Sequence, residues 1–244
     1  MENIYDRSFY EWQSSGSYLS AKTVVPLVLD ITPVKSVCDV GCGVGTWLRA
    51  FSDYGVDVIS GFDGAYVNTD QLQIPMKSFQ AKDLNLPFSV DNRFDLVISL
   101  EVAEHLARDR ADSFIANLVA LSDVVLFSAA VPGQGGTDHI NEQWQSYWAA
   151  LFLRHDYIPC DLIRPKIWND PQVEWWYRQN ILLYIKKNSV KSLLGEFPAD
   201  CVLDLVHPEM WKTRAKELEE LGLVNVLRAM RKMVGSAISR KINS

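Results

Sequence analysis

Glu101, Glu104 and His105 stand at i, i+3 and i+4, and a second histidine, His139, follows beyond the next strand-like run. If 101–105 is the first turn of a helix, the three side chains share one face. Two carboxylates and two imidazoles meeting at a cleft offer oxygen and nitrogen ligands to a divalent cation such as magnesium or manganese. Without an ion, His139 can act as a general base, because imidazole titrates near neutral pH where a hydroxyl proton must be removed. Packing and hydrogen bonding are the purely structural use of the same residues. Glu142 and Asn141 adjoin His139 in the string HINEQW. Glu142 joins Glu104, His105 and His139 as a catalytic candidate, while Asn141 has a simpler use as a helix N-cap.

A second constellation lies upstream, in VCDVGCGVGTWL at 37–48. A β-branched run carries an acid, Asp39, and feeds an apolar helical pattern through Gly41, Cys42, Gly43 and Gly45. Such a turn lets a ligand lie against bare backbone at a helix N-terminus. The dinucleotide fingerprint G-x-G-x-x-G places its third glycine one residue later, which excludes a simple NAD reading.

Strand-like and helix-like segments alternate from 34 to 187, the pattern of an α/β, doubly wound sheet. Strands are predicted at 34–40, 57–63, 78–83, 94–100, 124–128, 157–163 and 180–187. Helices are predicted at 47–54, 110–121 and 141–153. One or two helices over 9–31 read as an N-terminal lid on the ligand cleft, and apolar spacing over 208–234 reads as a helical appendage. The expected organisation is a lid at 1–33, a ligand-binding domain at 34–187 and an appendage at 188–244. In such a sheet the ligand sits at the carboxyl ends of the strands, where strand order reverses. Asp63, Asp83 and Glu101 close successive strands there.

Glycine loop, acid-ended second strand, AKDL at 81–84 and FDLVISLEVAEHL at 94–106 occur in this order. In that combination the chain resembles the class I S-adenosylmethionine-dependent methyltransferases. The resemblance implies a mostly parallel, seven-stranded Rossmann-like sheet and S-adenosyl-L-methionine as cofactor. It implies that Asp39 places the methionine end, that Asp63 accepts the ribose hydroxyls with Gly64 beside it, and that Asp83 faces the adenine with Leu84. Glu101 and Val102 complete the pocket. The segment E-x-x-E-H with a later histidine also resembles the ubiquinone-biosynthesis O-methyltransferases and the small-RNA 3′-terminal 2′-O-methyltransferases. There a metal grips adjacent acceptor oxygens.

The formal charge is −6. Eight Lys/Arg against four Glu from His207 onward give that end +4, leaving −10 for residues 1–206. An acidic main body argues against extended nucleic-acid binding, which needs a basic groove. The four cysteines form no CxxC pair and no metal spacing, as in a reduced, cytoplasmic protein. No apolar run reaches membrane-spanning length. Aromatics crowd 144–177 (Trp144, Tyr147, Trp148, Trp168, Trp175, Trp176, Tyr177), and sugars and flat rings both bind aromatic faces. The expectation is O-methylation of a small-molecule hydroxyl, on a sugar or natural-product intermediate, by a monomer or homodimer. The alternatives are RNA 3′-terminal 2′-O-methylation and a cofactor-binding scaffold without turnover.

Overall fold

A computed structural model describes residues 7–195, 201–218 and 222, with side chains from Gly16 onward. The chain divides into two compact units, Met1–Leu205 and Val206–Ser244. The first unit begins with α1 (Arg7–Ile31), followed by β1 (Ser36–Val40), α2 (Thr46–Asp53), β2 (Val58–Asp63) and β3 (Phe79–Ala81). After these come β4 (Leu96–Leu100), α3 (Ala111–Leu121), β5 (Val124–Ser128), α4 (Gln145–Arg154) and β6 (Tyr157–Cys160). Then come α5 (Arg164–Ile167), α6 (Trp175–Asn180), β7 (Leu182–Lys186) and α7 (Lys187–Leu194). In the second unit residues 208–218 are helical. The rest of the appendage expected to reach 234, and Tyr5 of the expected lid, lie outside the described residues.

The strands form one seven-stranded sheet in the order β3-β2-β1-β4-β5-β7-β6, parallel except for β7. Alternate residues of the inner strands enter opposite layers. Leu96, Ile98, Val124, Leu126, Leu183 and Ile185 face one cluster with α1 and α2; Val97, Val125, Phe127, Leu182 and Tyr184 face the other with α3 and α4. Burial on both faces explains why these strands read as continuous apolar runs. Asp95 fixes the start of the central pair by accepting from Lys35 N–H and Ser36 N–H, both at 2.9 Å. Strand order reverses between β1 and β4, so the crevice opens at the carboxyl ends of those strands.

Several boundaries differ from the sequence expectation. The segment after β4 is a single 3-10 turn, Ala103–His105, rather than the start of an α-helix. The helix expected from 141 begins at Gln145. The reason is local: Ile140 N–H and Asn141 N–H both donate to Glu104 O at 2.9 Å, which holds that stretch extended, so Asn141 is not an N-cap. The strand expected over 157–163 stops at Cys160, and α5 follows. No described helix is long and apolar enough to cross a membrane.

Candidate active site

The loop after β1 is shaped by its glycines. Gly41 has φ 92, and a Cβ there would lie 2.3 Å from Val102 Cγ2, so only glycine lets the two central strand ends close together. Val102, expected against the adenosine, fills that junction. Gly43 has φ 52, and a Cβ added there meets nothing within 4 Å, the bare backbone a ligand needs. Cys42 is buried, its thiol pushed up by burial. Gly45 caps α2.

Asp63, at the end of β2, is 5% exposed. Its Oδ2 accepts from Gly43 N–H at 2.7 Å, and its Oδ1 accepts from Gly64 N–H at 2.6 Å and the Tyr66 hydroxyl at 2.5 Å. Glycine loop and second strand are thus locked through one carboxylate. Asp39 is 3% exposed; burial, and then the charge of Asp63, hold its carboxyl well above the usual carboxylate range. Asp83 is exposed and its Oδ1 accepts from Asn85 N–H at 2.9 Å in an Asx turn, with Leu84 buried beside it. Arg110 pins that turn by donating to Leu84 O at 3.1 Å and Leu86 O at 2.8 Å.

Glu101 occupies φ 55, a region that costs a non-glycine residue about 1 kcal/mol or more. Its environment over-determines it. Its N–H donates to Ser128 O at 3.0 Å, and its carboxylate accepts from Gln134 Nε2 at 2.9 Å and Asn180 Nδ2 at 3.1 Å. Burial raises its pKa, against the lowering effect of those donors.

Glu104 is 0% exposed, and neither carboxyl oxygen meets a donor at good hydrogen-bond geometry, although the Ala130 N–H and the Glu101 carboxyl stand beside it. Burial, and then the charge of Glu101, push its pKa well up. One ligand atom each from Glu104, His105 and His139 lies within 4.8 Å of the others. The two imidazoles meet edge to face with centroids 4.8 Å apart. Burial, then His139, lowers the His105 pKa. Glu142 holds the loop together: it accepts from Gly133 N–H at 2.8 Å, from Gly135 N–H at 2.6 Å and, at 3.1 Å, from His139 Nδ1. A carboxylate only accepts, so Nδ1 carries a proton and Nε2 is the ring nitrogen left for another partner. The structure thus brings together Glu104, His105 and His139. Glu101 is not one of these three: its carboxylate is held by Gln134 and Asn180 while lying beside Glu104, and Glu142 acts on His139 from behind.

Sequence reasoning missed Tyr66, Arg110, Gln134 and Asn180. Isolated polar residues carry no periodic signal, and Asn180 meets Glu101 across the sheet. Of the aromatic cluster, Trp148 and Tyr177 are buried core, whereas Trp144 is 40% exposed.

A methyltransferase-domain family matches residues 8–160. The chloroplastic magnesium protoporphyrin IX methyltransferase of Arabidopsis thaliana is 30% identical over 113 residues, 42% of this chain. The chain spans only 36% of that relative's length. The crystal structure of magnesium protoporphyrin IX methyltransferase from Synechocystis with bound S-adenosylmethionine superposes with TM-score 0.53 at 19% identity, covering 76% of this chain and 86% of that one. An S-adenosylmethionine-bound amino pentose methyltransferase from Micromonospora echinaspora, involved in calicheamicin biosynthesis, gives TM-score 0.53 at 16% identity, covering 76% and 99%. At such identities the two structures speak for the fold. With the family match over most of the first unit, the chain belongs to the class I S-adenosylmethionine-dependent methyltransferases.

Proposed function

We propose that this methyltransferase transfers the methyl group of S-adenosylmethionine to a hydroxyl of a polyhydroxylated small molecule, with Glu104, His105 and His139 holding a divalent cation. The observation that carries this reading is Glu104. A fully buried carboxyl with no well-placed donor and the Glu101 carboxyl beside it is costly to ionise, and a cation held between it and the imidazoles of His105 and His139 offsets that cost. The donor set, one carboxylate and two ring nitrogens, suits a first-row transition-metal dication better than magnesium. Such an ion lowers the pKa of a nearby hydroxyl.

The chain's own residues supply the rest. Gly43 and Asp63 receive the nucleoside, Asp63 accepting the ribose hydroxyls and Asp39 facing the methionine end. Asp83, through the turn it builds with Leu84, closes the adenine side. Glu142 presents His139 Nε2 toward the acceptor side. Transfer is an in-line displacement at the sulfonium methyl, and the protein's contribution is alignment and exclusion of water. The exposed Trp144 and Ile140 beside the His139 loop offer an apolar face to a sugar or ring, and the −10 charge of residues 1–206 disfavours a polyanion.

The test is transfer from labelled S-adenosylmethionine to a panel of sugars, catechols and an RNA 3′ end, with and without chelator. Chelator-sensitive labelling of a small hydroxylic acceptor is the expected result. Labelling of the RNA end alone would replace the small molecule with the nucleic acid. Chelator-insensitive labelling abolished by His139→Ala would make His139 a general base without an ion.

A further inference from the structure

The acid that closes β2 is already engaged by three donors, and one of them is of a different kind from the others. A carboxylate offers about four acceptor positions. Three of these positions on Asp63 are taken, by Gly43 N–H, Gly64 N–H and the Tyr66 hydroxyl. A ribose diol brings two more, so one present donor must leave. The two backbone donors are fixed by the turns that contain them. The Tyr66 hydroxyl sits on a rotatable side chain whose residue is 77% exposed. Its ring lies directly on Gly64, where an added Cβ would come within 2.1 Å of Tyr66 Cε1. Glycine at 64 is therefore what allows the tyrosine to reach back to the acid three residues before it.

We infer that Tyr66 is an intramolecular competitor for the nucleoside site. In the ligand-free protein its hydroxyl takes the place of a ribose hydroxyl on Asp63, and binding of S-adenosylmethionine or S-adenosylhomocysteine displaces it. The competition lowers affinity for both alike, and return of the hydroxyl to Asp63 helps expel the product. This rests on the reading of Asp63 as the ribose acceptor.

The experiment is calorimetric titration of S-adenosylhomocysteine into the wild type, Tyr66→Phe, Asp63→Asn and the double variant, each checked for folding by thermal denaturation. Tyr66→Phe keeps the ring and removes only the competing hydroxyl. It should tighten binding about three- to tenfold, the modest value of an exposed hydrogen bond to a charged group. Asp63→Asn should weaken binding, and Tyr66→Phe should add nothing in its background. Unchanged or weaker binding in Tyr66→Phe, with Asp63→Asn still weakened, overturns the competitor alone. Wild-type affinity in Asp63→Asn overturns the ribose assignment and the competitor with it.

Discussion

Burial holds two carboxyls of the first unit, Asp39 and Glu104, well above the usual carboxylate range. The Asp39 pKa is raised by burial and by Asp63. A carboxyl raised in the folded state contributes stability fully present below its unfolded pKa, which is lost as pH rises through the folded value. Ligand-free protein should therefore lose stability as pH rises out of the ordinary carboxylate range toward neutrality. Asp39→Asn should flatten that fall in a series of thermal melts while weakening S-adenosylhomocysteine binding. A melt series as steep as that of the wild type would contradict it. Gly43→Val puts a branched side chain into the open space at φ 52, and affinity for S-adenosylhomocysteine should fall roughly ten- to a hundredfold, as for loss of a strong contact. Wild-type calorimetry in folded Gly43→Val would remove the loop from the pocket. Asp63 and the glycines were legible because spacing along a strand-turn-helix puts them in one place. The left-handed backbone of Glu101 was not, since Ser128, Gln134 and Asn180, which hold it, come from distant elements.

At the scale of elements, the loop between β5 and α4 depends on Glu142. Its carboxylate ties Gly133, Gly135 and His139 together, and a side chain at Gly136 would come within 2.4 Å of His139 Nε2. Glu142→Gln keeps the size of the side chain but supplies a single acceptor oxygen. Manganese affinity, read by calorimetry, should drop about tenfold or more, as for loss of a partner behind a ligating histidine, and S-adenosylhomocysteine affinity should stay at the wild-type value. Equal loss of both ligands would mean that the loop supports the whole crevice rather than its acceptor side. Periodicity placed this loop after the fifth strand but started the next helix too early. The donation of Ile140 and Asn141 to Glu104 O is a long-range constraint with no local trace. The same holds for 101–105, where the sequence reads as a helical turn and the backbone makes a 3-10 turn.

The whole molecule is one doubly wound sheet unit, Met1–Leu205, followed by the unit Val206–Ser244. The sheet was legible because apolar runs separated by helix patterns admit few topologies. The second unit was legible only as helical spacing. Truncation after Val206 should lower the melting temperature or change the mass seen by light scattering while retaining S-adenosylhomocysteine binding. Loss of that binding in a folded truncate would place the second unit in the pocket. In the proposed enzyme a cofactor crevice adjoins an ion held by Glu104, His105 and His139. The most direct test is manganese titration followed by electron paramagnetic resonance in the wild type, Glu104→Gln and His139→Ala. The wild type should bind manganese, both variants should lose it, and S-adenosylhomocysteine affinity should stay unchanged throughout. No manganese binding by the wild type, or equal binding by all three proteins, would contradict it.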